Sequence, residues 1–286
     1  MVPTLGSRGG NRVILVMYLA AERMSRATVA SMPISPLVPA TPTPAEPVTP
    51  LTPRPVRHPL LSQSWRDVTF LHWPVAPEVV QPHMPPGVRP DVLDGVSYVG
   101  LIGFRMVGLG FGRGPRIPYL GTFGEINVRL YGVDGLGRRG VVFPSLESSR
   151  LLSALGARAG LWLPYMWSSV RIAQTRDGVL YESRRRALGP KPASSRISVR
   201  IGDPIAEPSE LDTWLTARWG LHVRAWGRTL HVPNEHPAWP LRHAEIVHLD
   251  DTLVAASGLP TQASGPVSVL FSEGVPVTFG SPQPLP

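Results

Sequence analysis

The chain has 286 residues, 43% of them hydrophobic, and a formal net charge of +8 from 28 basic and 20 acidic side chains. That length carries one large domain or two modest ones, with a sizeable core. It contains no cysteine, which excludes disulfides, thiolate metal sites and a cysteine nucleophile.

In residues 1–59, Arg8, Arg12, Arg23, Arg26, Arg54 and Arg57 stand against Glu22 and Glu46, so this tail supplies +4, half of the excess. The remaining charge is dispersed, and the only dense run, Arg184-Arg185-Arg186, is expected to be a solvated edge face. No nucleic-acid partner is therefore expected, although a basic chain invites one. No stretch reaches the ~18–20 apolar residues that span a bilayer. The expectation is a soluble, cytoplasmic chain with no membrane partner. Residues 13–21 follow Arg8 and Arg12 in the order of a signal peptide, but the run is short and Glu22-Arg23 breaks it. Met24 or Met32 is an alternative start. From 32 to 59 proline recurs every two to five residues, which favours extended chain without a core. Residues 1–57 are thus expected to be a disordered Pro-rich tail, and 58–286 a single domain.

Within the domain, 67–73 reads as a strand, 77–84 as a short helix, and Pro85-Pro86-Gly87 as a turn. The segment 96–107 is apolar on both faces, as in a strand buried on both sides, and Asp94-Gly95 turns the chain before it. Strands follow at 123–131 and 141–146, then a helix at 147–158 with Leu151, Leu152 and Leu155 on one face. Further strands are expected at 167–174, 179–187 and 196–201. Ser209 caps a helix over 210–219, 221–232 forms a hairpin around Gly227, and 244–249, 267–271 and 275–279 close the domain. About ten strands, two or three peripheral helices and no βαβ alternation indicate a mostly β fold, an antiparallel barrel or nearly so.

The segment 123–131 carries most chemistry. With period two, Phe123, Glu125, Asn127, Arg129 and Tyr131 share one face while Gly124, Ile126, Val128 and Leu130 share the other. The polar face meets either solvent or a barrel lumen. In a lumen, Arg129 would hold an anion, and Glu125 would neutralise it or act as an acid or base. In 161–167, Pro164 makes an elbow at which Tyr165 either packs in the core or presents its hydroxyl. His222, His231, His236, His243 and His248 crowd the last third, but none pairs at a helical zinc spacing, and no metal is expected. His236 to Trp239 reads as a packed turn. The glycines of 108–114 precede proline rather than a helix, and read as a loop, not a phosphate cradle.

Several segments together resemble the YqjF-like family, domain of unknown function 2071: Trp65 with His72-Trp73, Met84-Pro85-Pro86-Gly87, Asp94-Gly95 with Tyr98-Val99-Gly100, Phe123-x-Glu125-x-Asn127-x-Arg129-x-Tyr131, Leu163-Pro164-Tyr165, and His236 to Trp239. The resemblance implies a fold like that of acetoacetate decarboxylase, with an internal cavity. That enzyme's reactive lysine pair follows a proline; here the similar elbow carries Tyr165 and Met166, neither of which forms an imine. Lys191, the chain's single lysine, lies between prolines in a loop of its own. A Schiff-base decarboxylase is therefore not expected, and no cofactor is. Three functions remain open: a small-molecule-binding domain for a small carboxylate or carbonyl compound, an imine-independent enzyme on a keto or enol substrate, and a structural or protein-interaction module with a filled barrel. The first is the leading expectation, with Glu125, Asn127, Arg129, Tyr165, Arg66 and His72 as ligand-binding candidates and Glu125 and Tyr165 as catalytic ones.

Overall fold

The computed structural model describes residues 43–151, 155, 158, 162–261 and 264–286. The signal-like run and the tail up to residue 42 lie outside these, as does most of the helix expected over 147–158. The strands are β1 (Leu61–Val75), β2 (Val88–Pro90), β3 (Ser97–Phe111), β4 (Phe123–Asp134), β5 (Arg139–Ser148), β6 (Tyr165–Gln174), β7 (Gly178–Ala187), β8 (Ser194–Pro204), β9 (Gly220–Ala225), β10 (Arg228–Glu235), β11 (Leu241–Asp251), β12 (Ser268–Phe279) and β13 (Gln283–Pro284). Helices α1 (Pro77–Val80), α2 (Glu210–Thr216) and α3 (Leu253–Ala256) are short.

Nine strands close a ring in the order β4, β5, β6, β7, β8, β11, β12, β1, β3 and back to β4. Nine strands cannot alternate direction all the way round, so one neighbouring pair must be parallel. That pair is β5 and β6, in register Leu146↔Tyr165 to Ser148↔Trp167. A parallel pair needs a crossover rather than a hairpin, and residues 149–164 supply it. The hairpin β9–β10 spans outside the ring from β5 to β12. Its turn places Trp226 and Gly227 at positive φ, as a tight hairpin requires.

The β1, β3, β4 and β12 strands therefore form a wall between two cores. One core contains Ile126, Val128 and Leu130 with Val179, Tyr181, Ile197 and Leu253. The other contains Phe123 and Tyr131 with Phe70, Trp214, Leu221 and Trp239. The alternation of β4 is thus real, and its polar face is directed into the second core rather than to solvent.

The structure differs from the expectations in several places. Glu147 belongs to β5, and Leu155, assigned to a packed face, is exposed. The separate strands at 267–271 and 275–279 are one, β12, with Gly274 at positive φ opposite Arg66 of β1. The glycine run at 108–114 is partly the end of β3. The helix over 210–219 ends at Thr216, although Ser209 caps it as expected through a reciprocal bond with Asp212. Arg184 and Arg186 are exposed, but Arg185 is buried and paired with Glu147; one arginine of the basic run serves the interior. Residues 43–57 are not free of the domain. Glu46 pairs with Arg54 and accepts from the Arg139 amide, Thr49 accepts from Trp219 Nε1, and Val48 packs on the second core.

Candidate functional site

Glu125, Asn127 and Arg129 are all buried on the inward face of β4. Asn127 Nδ2 donates to Glu125 Oε1 at 3.1 Å, and Arg129 Nε donates to Asn127 Oδ1 at 3.3 Å. The parallel pairing of β5 and β6 sets Tyr165 beside Leu146, whose other neighbour is Asn127. The Tyr165 hydroxyl consequently reaches Glu125 Oε2 at 2.8 Å. Tyr165 is buried, so the elbow presents its hydroxyl inward and not to solvent.

His72 enters from β1. Its Cα partner on β3 is Gly100, whose partner on β4 is Arg129. Glycine leaves the middle position of this row without a side chain. A Cβ there would stand 2.8 Å from Arg129 Cγ and 3.2 Å from His72 Cδ2, so the bare position lets the two large polar groups lie close. His72 Nε2 is 2.7 Å from the Tyr131 hydroxyl.

Arg66 does not join them. Counting by twos from His72 places Arg66 on the same face, but β1 contains a bulge between Arg66 and Thr69, with Asp67 at φ 52°. One inserted residue reverses the parity of everything before it. Trp65 turns inward and Arg66 is exposed.

Three residues of the site, Arg218, Trp214 and Asp91, escaped the sequence reading. Arg218, two residues past the end of α2, lies over the rings of Trp214 at 4.0 Å and Tyr131 at 4.7 Å. Its Nη1 pairs with Asp91, which follows β2 and also takes Arg139. Tyr131 was placed on the correct face without a role. Trp214 and Arg218 stand four apart, a spacing that puts both on one helical side, and this was the available signal. Asp91 carried none, because only the closure of the barrel brings the end of β2 to α2.

Burial governs the electrostatics. Glu125 is pushed up to about 7 by desolvation, against the opposing pull of Asn127, Tyr165 and Arg129. It therefore exchanges a proton near neutrality. His72 is held well below its usual range by burial and by Arg129 and Arg218, so its imidazole is neutral. Tyr131 is pushed up to about 12 by burial, which the two arginines oppose. Arg129 is lowered by desolvation first. It has no ion-pair partner among the described residues, whereas the buried Arg185 and Arg218 each have one. Its terminal nitrogens Nη1 and Nη2 make no hydrogen bond among those residues; Nε alone is used.

Lys191 is exposed in the loop between β7 and β8. Among the described residues no three His, Asp or Glu side chains converge as a metal site. His222 and His231 are neighbours, with ring centroids 5.2 Å apart, and His222 approaches Asp134 at 3.3 Å. His236 packs between Trp219 and Trp239, the expected turn. No helix among the described residues is long and apolar enough to cross a membrane.

Comparison with known proteins agrees with this architecture. A family model, DUF2071, described as an uncharacterised conserved protein, matches residues 62–276. The uncharacterised protein YqjF of Bacillus subtilis (strain 168) is 30% identical over 210 residues, which is 73% of this chain and 86% of YqjF. An acetoacetate decarboxylase-like enzyme from Sphingomonas wittichii RW1 superposes with a TM-score of 0.53 at 14% identity, covering 79% of this chain and 92% of its own. Acetoacetate decarboxylase from Legionella pneumophila gives 0.52 at 13% identity over 90% and 93%. The enduracididine biosynthesis enzyme MppR, in a structure complexed with pyruvate, gives 0.50 at 15% identity over 80% and 91%.

Proposed function

The chain belongs to the DUF2071 family and has an acetoacetate decarboxylase-like fold; on that premise we propose that its second core is a binding site for a small carboxylate that also bears a carbonyl group. The observation that carries this is Arg129, a buried guanidinium that among the described residues has no ion-pair partner and two terminal nitrogens without a hydrogen bond. An uncompensated buried charge is destabilising unless something pairs with it, and the end-on fork of a guanidinium matches a carboxylate in geometry. Glu125 is the next inward position of β4 beyond Asn127 and takes the Tyr165 hydroxyl from β6, and the two would face the carbonyl end of such a ligand. The MppR structure complexed with pyruvate supports a keto acid as the first compound to try.

A second reading, proton transfer on the bound compound, is favoured by the position of Glu125 near 7. A general base works best with a pKa near the working pH. As carboxylate, Glu125 would take a proton from the carbon next to the carbonyl while Tyr165 O–H stabilises the developing enolate oxygen. No imine takes part on this reading: the sole lysine, Lys191, is exposed in a loop.

The test is a thermal-shift screen of pyruvate, acetoacetate and butyrate against the full chain and Arg129→Gln, since a ligand of the native state raises its stability by mass action. The keto acids should stabilise the parent and leave the variant unmoved. Equal shifts in both proteins, or none in the parent, would remove Arg129 as the receptor. For the second reading, the methyl protons of pyruvate are followed by NMR in D2O. Exchange faster than the buffer rate, rising through pH 7 and lost in Glu125→Gln, is the expected result; exchange at the buffer rate leaves only binding.

A further inference from the structure

Arg218 presents a feature that a receptor for one carboxylate does not use. Its Nη1 is occupied by Asp91, but Nε and Nη2 are buried and have no hydrogen-bond partner among the described residues. These two nitrogens form the side-on edge of the guanidinium, which donates two parallel hydrogen bonds to a carboxylate. The plane is fixed by stacking on Trp214 and Tyr131, at 4.0 and 4.7 Å. Among the described residues Trp214 Nε1 is a third buried donor without a partner, and His72 Nδ1 a fourth nitrogen in the same state. Several unmet donors grouped around one phenol ring are a strong departure from ordinary interiors, where buried polar groups are paired.

Charge points the same way. Asp91 is shared by Arg139 and Arg218, and Arg129 has no carboxylate within ion-pair distance among the described residues. Three guanidiniums thus face one full negative charge and Glu125. His72 and Tyr131 both feel Arg129 and Arg218, so the two cations flank the same pair of side chains. A single acid group on the ligand would leave one of them uncompensated.

We propose that Arg218, with Trp214 Nε1 beside it, forms a second anion subsite across Tyr131 from Arg129, so that the ligand of this core is a short dicarboxylate bearing a carbonyl group. The inference rests on the carboxylate-binding reading above and narrows its ligand class. Arg129 takes one acid group end-on through Nη1 and Nη2. Arg218 takes the other side-on through Nε and Nη2, and Glu125 with Tyr165 addresses the carbonyl. Arg218 is on this account a specificity residue, since it separates acids with one carboxylate from acids with two.

The test is isothermal titration of the full chain with 2-oxoglutarate and oxaloacetate against 2-oxobutyrate and pyruvate. The dicarboxylates are expected to bind at least ~10-fold more tightly, and Arg218→Gln to reduce that ratio to within about twofold. The ratio of affinities is the quantity read, because a general loss of stability does not move it. The parent comparison needs no variant to fold. If 2-oxo monocarboxylates bind as tightly as the dicarboxylates, the second subsite is wrong and the first stands. If none of the four acids binds, the carboxylate reading fails and takes this inference with it. A preference that survives intact in a folded Arg218→Gln protein also overturns the assignment.

Discussion

At the scale of single residues, Glu125 makes the sharpest claim. Its folded pKa of about 7 lies above the ~4.3 of an unfolded glutamate. Between those values the native state keeps a proton that the unfolded chain has released, so stability falls as pH rises through that window and the loss is complete above about 7. The loss is on the order of 3 kcal/mol. Glu125→Gln has no such proton, so urea melts should show the variant gaining on the parent between pH 5 and pH 8. A constant difference at both pH values would contradict the assignment. The same charge opposes a bound carboxylate, so keto-acid affinity should also weaken above pH 7 in the parent alone. Most of these residues were legible beforehand because a period of two is easily read: Glu125, Asn127 and Arg129 needed only the alternation of β4. Arg66 was misplaced because one bulge at Asp67 reverses parity. Sequence carries little sign of such a bulge. Asp91 was hidden because it stands just past the end of its element, where no periodicity speaks for it, whereas the spacing of Arg218 from Trp214 was there to be read although the helix ends at Thr216.

At the scale of elements, the site depends on how three strands stack side chains in one row. His72, Gly100 and Arg129 are successive cross-strand partners on β1, β3 and β4. Gly100→Ala adds a methyl 2.8 Å from both Arg129 Cγ and Ile102 Cδ1. Overpacking of this kind typically costs about 1–3 kcal/mol. Because Arg129 is one of the groups that must yield, the variant should lose keto-acid binding as well as melting temperature. A protein that melts lower yet binds unchanged would show that the row does not set Arg129. The parallel pair β5–β6 matters in the same way. It follows from an odd number of strands in a closed ring, and it brings Tyr165 to Glu125 across the 149–164 crossover. The elbow at Pro164 was readable; the direction of β6 was not, because strand polarity depends on closure and leaves no local mark.

For the whole molecule, composition and turn spacing gave a mostly β, barrel-like chain, and the structure is a nine-stranded closed ring with a hairpin that adds a second core. The part that composition obscured is the segment 43–57. Proline density favours an extended chain, and an extended chain can still lie along a barrel. Glu46 accepts from the Arg139 amide and pairs with Arg54, while Val56 N–H donates to Glu235. Arg139 in turn holds Asp91, so the segment supports the cluster behind Arg218. A chain starting at residue 58 should melt several degrees below one starting at 43, at about 2–4 °C per kcal/mol for a domain of this size. Identical melting would mean that these contacts add nothing. The central claim is the proposal that Arg129, a buried guanidinium with no ion-pair partner among the described residues, is the anion receptor of this chain. Its most direct test is isothermal titration of pyruvate into the full chain and into Arg129→Gln at pH 6.5. Saturable one-to-one binding to the parent, weakened at least ~10-fold in a variant that still melts cooperatively, is the predicted result; equal binding to both proteins would contradict it.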